Sequence, residues 1–262
     1  MIKPSIIQNS LNLSFTWFLL LLTASLLLGG YQKYFSKSGS TIYLVGDSTM
    51  SEKKVSAYPE TGWGTPFTHY FSDDVRIENH ARNGLSTRTF LESGQWELIV
   101  KTFDEGDYVF IQFGHNDEVQ SKEQSTTPEI FMANLRKYIR DTRDKEAQPV
   151  FLTPIARRLF DENDNLVDTH EEYSELMRQV ADSENVPLID MDEKSQSLLK
   201  ELGPEKSVFL YNHLNPGQNP NYPEGLEDNT HFNELGARRM AELVLQGIRE
   251  LDLELKDHIV QN

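Results

Sequence analysis

The chain contains no cysteine. That excludes disulfides, a thiolate nucleophile and every cysteine-ligated metal site, although it does not identify a reducing compartment. Basic charge is scarce: 25 Lys and Arg stand against 41 Asp and Glu, a formal net charge of −16. The pairs Arg157-Arg158 and Arg238-Arg239 are too short to form a basic patch, so neither nucleic acid nor an anionic membrane surface is an expected partner. The acidity does not point to a cationic substrate, because solubility alone explains it. Several signatures are missing outright: Gly-x-Ser-x-Gly, Gly-x-Gly-x-x-Gly, the P-loop and His-Glu-x-x-His. Their absence removes the usual nucleophile elbow, dinucleotide and phosphate cradles, and the helical zinc pair. Asp47, His115, Asp117 and His231 have no spacing that specifies a metal geometry, so no metal is expected. No pair of carboxylates stands out for glycosidase chemistry. Internal repeats and low-complexity blocks are also lacking.

What is present is unevenly distributed. Residues 15–30 are almost wholly apolar, with Phe18-Leu19-Leu20-Leu21-Leu22 and Leu26-Leu27-Leu28 inside them, and Lys3 is the one charge before them. The run is long for the apolar part of a signal peptide and short for a full membrane span. Residues 1–40 are therefore expected to be a signal peptide or membrane signal anchor plus the Ser38-Gly39-Ser40 linker; a buried domain helix is the alternative. Export follows as an expectation: the protein is secreted or periplasmic, or anchored with its domain outside the cytoplasm. Residues 41–262 form the remaining domain, long enough to bury its own core.

Within that domain, apolar β-branched runs alternate with helical patterns. Strands are predicted at residues 41–45, 75–78, 108–113, 150–153 and 188–189, nearly continuous in apolar character as buried parallel strands are. Helices are predicted from Pro128 to about residue 142, with Ile130, Phe131, Leu135 and Ile139 as its apolar stripe, and at residues 171–182 and 235–251, the last turning Met240, Leu243, Val244 and Ile248 inward. The alternation predicts an α/β protein, a three-layer α/β/α sandwich around a parallel sheet of about five strands.

In such a sheet the active crevice lies beyond the carboxyl ends of the strands, and chemistry-bearing residues cluster there. Ser48 follows the first strand, Gly84 the second and Asn116 the central one, while His231 precedes the last helix. Serine needs a base to take its proton. His231 suits that task, and Asp228, three residues earlier, can hold its Nδ1–H and fix the tautomer. The backbone N–H groups of Ser48 and Gly84, with the Asn116 amide, form a candidate oxyanion hole. Asp47 is expected to order the nucleophile loop or cap a helix rather than do chemistry.

The blocks Gly46-Asp47-Ser48-Thr49, Asn83-Gly84, Gly114-His115-Asn116-Asp117 and Asp228-Asn229-Thr230-His231-Phe232 occur in this order over about residues 41–250. In that they resemble the SGNH, or GDSL-type, hydrolase family, whose fold is flavodoxin-like. Within it the chain is most similar to the rhamnogalacturonan acetylesterases, through Gly46-Asp47-Ser48-Thr49-Met50, Gly62-Trp63-Gly64, Asn83 to Phe90, Phe113 to Asp117 and Asp228 to Ala237. The resemblance implies a cofactor-free serine esterase that removes acetyl groups from pectic rhamnogalacturonan through an acetyl-serine intermediate. It also implies a Ser48, Asp228, His231 triad and a Ser48, Gly84, Asn116 oxyanion hole. Two readings stand beside this one: an esterase of the same family acting on xylan, another glycan or a lipid ester, and a noncatalytic carbohydrate-binding protein.

The substrate side is read from composition. Residues 209–226 are rich in aromatics, Asn and Pro and are expected to form a loop toward the base side, with His213 and Tyr222 touching an acetylated polysaccharide or oligosaccharide. Trp63 and Arg88, with Arg82, are expected on the opposite wall, Arg88 facing a uronic-acid carboxylate. The sequence does not set the oligomeric state.

Overall fold

Five strands form the core sheet, as the continuous apolar runs predict. In the computed structural model, which describes residues 39–260, they are β1 (Ser40–Gly46), β2 (Val75–Asn79), β3 (Tyr108–Gln112), β4 (Gln148–Leu152) and β5 (Leu188–Ile189). All pair in parallel, in the order β2-β1-β3-β4-β5. The apolar segment at residues 15–30 lies outside the described residues. Among the described residues no helix is long and apolar enough to cross a membrane.

Alternation along each strand sends side chains to opposite faces, and both faces are buried. Ile42, Leu44, Tyr108, Phe110, Val150 and Leu152 join one core cluster, whereas Tyr43, Val45, Val109, Ile111 and Phe151 join the other. Seven helices cover them: α1 (Gly64–Phe67), α2 (Thr87–Glu92), α3 (Gln95–Ile99), α4 (Pro128–Arg143), α5 (Glu171–Glu184), α6 (Met191–Ser207) and α7 (Glu234–Glu250). The first cluster takes residues from α1, α6 and α7, the second from α2, α3, α4 and α5. This is the expected three-layer sandwich. Helix starts follow local chemistry: Pro128 opens α4 behind the Thr127 cap, and the Asn233 side chain caps α7 by accepting from the Gly236 N–H at 3.0 Å.

Three details differ from the expectation. Ile130 is 42% exposed and does not belong to the buried stripe of α4, which runs through Phe131, Leu135, Tyr138 and Ile139. Helix α6 went unread, because its apolar residues are sparse and Gly203-Pro204 looks like a terminator. Gly203, at φ 67° and ψ 177°, is non-helical and kinks α6, and a further short helical stretch opens at Pro204. Residues 209–226 are not simply a loop: Tyr211–Leu214 (β6) pairs antiparallel with Leu226–Phe232 (β7), and their turns enclose the rest. Asn212 and His213 on β6 and Asp228, Asn229 and His231 on β7 mask the period-2 pattern.

Candidate active site

The sheet order reverses direction at β1, whose neighbours are β2 on one side and β3 on the other. The carboxyl ends of these three strands therefore open one crevice. β1 delivers Asp47 and Ser48, β2 delivers Asn83 and Gly84, and β3 delivers His115 and Asn116. The hairpin strand β7 brings Asp228 and His231 over the same rim.

Asp47 shapes the nucleophile turn. Its Oδ1 accepts from the Thr49 N–H at 2.9 Å and the Thr49 hydroxyl at 2.8 Å, and its carbonyl accepts from the Ser51 N–H at 3.1 Å. Burial alone would raise its pKa, but His115 and the Thr49 donors outweigh that and hold it below the ordinary range. His115, buried beside it and beside His170, is pushed down to about 4, chiefly by desolvation, so at neutral pH it is an uncharged neighbour.

Ser48 is only 8% exposed. Its Oγ lies 2.8 Å from His231 Nε2, and His231 Nδ1 lies 2.7 Å from Asp228 Oδ2. The other oxygen of Asp228 accepts from the Thr230 and His231 N–H groups at 2.7 and 2.9 Å. Burial works against the charge on Asp228, but the hydrogen bonds and charge of His231 prevail, bringing its pKa down to about 2. An ionised carboxylate there fixes the proton on Nδ1 and leaves Nε2 to accept from serine.

The three candidate oxyanion donors are near this chain. Gly84 has φ +74°, and no atom lies within 4 Å of where a Cβ would stand; here the glycine serves backbone conformation rather than close packing. Asn116 is 7% exposed, and its Nδ2 donates one hydrogen to the Leu85 carbonyl at 3.0 Å, which aims the amide and leaves its second hydrogen available. Among the described residues, no protein acceptor takes the Ser48 or Gly84 N–H. Next in chain, Asp117 accepts from Thr87 and Thr126. It ties the Asn116 loop to the start of α2, although burial pushes its pKa up to about 7.

The expected substrate residues fare differently. Trp63 is fully buried; its indole donates to Gln112 Oε1 at 2.8 Å and its ring packs edge-on against Phe67. It is a core residue with no face for a sugar, which corrects the expectation. Arg88 is turned to the Glu92 carboxylate at 2.9 and 3.0 Å and to the Glu123 carbonyl. His213 Nε2 lies 2.9 Å from Asn229 Oδ1, bracing the turn between Asp228 and His231. Tyr222 donates to the Ala57 carbonyl at 3.0 Å, while Asn221 donates to the carbonyls of Val55 and Tyr58. The hairpin is thereby tied to the segment that follows the nucleophile.

Other residues at the site carried no sequence cue. Arg157 donates to Thr230 Oγ1 at 2.8 Å, the His115 carbonyl at 3.2 Å and Glu118 Oε1 at 3.1 Å, joining the acid–base strand to the oxyanion loop. Arg158 holds Asn229 from its backbone and its guanidinium. In the sequence both read as a short basic pair. Lys53, buried beneath the nucleophile loop, is the third.

The profile of the GDSL-like lipase/acylhydrolase family matches residues 44–239. Rhamnogalacturonan acetylesterase RhgT of Bacillus subtilis (strain 168) is 44% identical over 220 residues, covering 84% of this chain and 94% of that protein. The probable rhamnogalacturonan acetylesterase YesY of the same organism is 37% identical over 222 residues, 84% of this chain and 97% of its own. Among solved structures, the Bacillus subtilis protein YxiM superposes with a TM-score of 0.70 at 27% identity, over 82% of this chain and 58% of that one.

Proposed function

The chain belongs to the GDSL-like lipase/acylhydrolase family and is a carboxylic ester hydrolase; we propose that it removes acetyl groups from rhamnogalacturonan, with Ser48, His231 and Asp228 as its catalytic residues. The observation that carries the proposal is the unbroken hydrogen-bonded path from Ser48 Oγ through His231 to Asp228, at 2.8 and 2.7 Å. The relatives' names support the substrate.

Ser48 Oγ attacks the acetyl carbonyl as His231 Nε2 takes the hydroxyl proton. Negative charge moves onto the carbonyl oxygen, where the Ser48 and Gly84 N–H groups and the Asn116 amide meet it. His231 then returns the proton to the departing sugar oxygen, leaving acetyl-Ser48. Water, losing a proton to the same imidazole, cleaves that ester and releases acetate and free serine. Asp228 stays ionised throughout and stabilises the imidazolium.

For glycan contact, support comes from a cavity of about 520 Å³ along the hairpin, lined by Phe209, Asn212, His213 and Gln218 among others. Phe209 is 67% exposed, and an exposed aromatic face among amide groups suits a sugar ring. We further propose export, with the domain acting outside the cytoplasm either free or held at a membrane by residues 15–30. The apolar composition of that segment and the polymeric nature of the substrate support this. N-terminal sequencing of the mature protein tests it.

The decisive experiment is a comparison of wild type and Ser48→Ala on acetylated rhamnogalacturonan, acetylated xylan and short acyl esters, with acetate detection. Wild type should release acetate fastest from rhamnogalacturonan, and Ser48→Ala should release almost none while keeping its circular dichroism. Near wild-type release by the variant would overturn the assignment of the nucleophile; faster release from xylan would overturn the substrate.

A further inference from the structure

Lys53 takes no part in the proton path, yet its side chain is only 4% exposed. Its ammonium donates to the Ser48 carbonyl at 2.6 Å and to Asn83 Oδ1 at 2.7 Å, and meets Glu60 Oε1 at 2.7 Å. An ammonium has three hydrogens, so these three acceptors use all of them. Two of the three belong to the loops that carry the oxyanion donors. Ser48 is itself a donor residue, and Asn83 immediately precedes Gly84. Ser51 strengthens the second link, its hydroxyl donating to the same Asn83 oxygen at 2.6 Å.

We propose that Lys53 is a positioning residue of the esterase: it clamps the β1 loop to the β2 loop, so that the Ser48 and Gly84 N–H groups converge on a single tetrahedral oxygen. The proposal rests on the reading of these two groups as oxyanion donors. Its physical basis is preorganisation. Oxyanion donors are effective only when already aimed at the place where charge will develop, about 2.7–3.1 Å away. Gly84 has no side chain to anchor it and sits in an exposed turn, so the direction of its N–H depends on how Asn83 is held. A neutral donor would hold less well, because charge-assisted hydrogen bonds are shorter and roughly twice as strong.

The buried cation is compensated. Glu60 pairs with it directly, and the carboxylates of Asp47 and Asp228 lie in its field; all three favour the charged form. Desolvation acts the other way and is the larger effect, leaving the pKa of Lys53 below the ordinary lysine value. Loss of the proton at alkaline pH removes one hydrogen bond and the positive charge from the clamp, and activity should fall with it.

The absence of cysteine makes the test clean. In Lys53→Cys the introduced thiol is the only one in the chain, and alkylation with 2-bromoethylamine rebuilds a side chain of lysine length ending in an ammonium, with sulfur at the γ position. Lys53→Met and untreated Lys53→Cys should lower kcat by about 100-fold, approaching the loss of one oxyanion donor, with KM changed by less than about threefold. A phosphonate mimic of the tetrahedral intermediate should bind more weakly to them by about the same factor as kcat/KM falls. Aminoethylation should restore most of kcat, whereas carbamidomethylation of the same thiol should not. Sulfur makes the rebuilt ammonium more acidic, so the alkaline limb of kcat should move to lower pH. Circular dichroism and urea unfolding run alongside, and if Lys53→Met fails to fold, the two alkylated forms of Lys53→Cys make the comparison.

Three outcomes would overturn the proposal: kcat of Lys53→Met within threefold of wild type, equal rescue by the neutral and charged alkylations, or loss confined to KM with the phosphonate still tightly bound. Acetate release by Ser48→Ala separates this failure from that of the underlying reading. Almost no release from Ser48→Ala with unaffected Lys53 variants defeats only the clamp; near wild-type release from Ser48→Ala defeats both.

Discussion

Replacing Asp228 with asparagine probes the proton path with almost no change of shape. In the native site one oxygen of Asp228 serves two backbone N–H groups, from Thr230 and His231, and the other faces His231 Nδ1 at 2.7 Å. Asparagine has one oxygen and one NH2. If the NH2 faced the two backbone donors, both would lose their acceptor, at a cost of about 1–3 kcal/mol. The oxygen should therefore keep the backbone groups, and the NH2 should face Nδ1. Two donors cannot share that contact, so the imidazole moves its proton to Nε2. Ser48 Oγ, 2.8 Å away, then faces a donor where it needs a base. In a serine–histidine–aspartate triad this error of tautomer lowers kcat by about 10⁴-fold, or about 5.5 kcal/mol of barrier. The expected result for Asp228→Asn is a fall of about 10³- to 10⁴-fold in kcat, with KM nearly constant and circular dichroism unchanged. Initial rates of acetate release between about pH 5 and pH 9, spanning histidine titration, give the measurement. A kcat within tenfold of wild type across that range would show that the carboxylate does not set the tautomer, and the argument would fail.

Further predictions follow from the same contacts. Asn116→Ala should lower kcat by about 10²- to 10³-fold with little effect on KM, and a change confined to KM would count against an oxyanion role. Gly84→Ala meets open space and should lose only the roughly 1–2 kcal/mol of a left-handed φ, whereas Gly236→Ala would place its Cβ 1.8 Å from the Leu210 carbonyl oxygen and should be the more destabilised in urea unfolding; the reverse order would contradict the packing of α7. The pKa of Asp228 lies at about 2 in the folded protein, below the ordinary aspartate value, so ionised Asp228 stabilises the fold above about pH 4, and that contribution disappears as pH falls toward 2. Asp228→Asn lacks this contribution, and its unfolding midpoint should decline less steeply than that of wild type over that window; parallel curves would refute the linkage.

The strands and the long helices α4, α5 and α7 were legible because periodicity and local caps are properties of neighbouring residues. Continuous apolar runs require burial on both sides, and that requirement already implies a parallel sheet between two helical layers. The four loop blocks were legible for a related reason: each places chemistry just past a strand or just before a helix. Trp63 misled because an aromatic residue near a nucleophile reads equally as core or as sugar platform, and only its contact with Gln112 and Phe67 distinguishes them. The hairpin of β6 and β7 escaped notice because its polar side chains serve the site rather than a buried face.

Residue types, their order and the strands that lead to Ser48, Gly84 and Asn116 were thus determined by the sequence itself. Tertiary structure alone decided who meets whom. Ser48 and His231 are 183 residues apart in the chain, and Lys53 and Asn83 are 30; no local pattern encodes a 2.8 Å contact over such separations. Those contacts exist because the strand order sets β1 between β2 and β3 and brings their carboxyl ends to one rim. A buried ammonium or carboxylate is tolerated only where partners from other segments arrive to satisfy it, and that arrival is a property of the assembled fold.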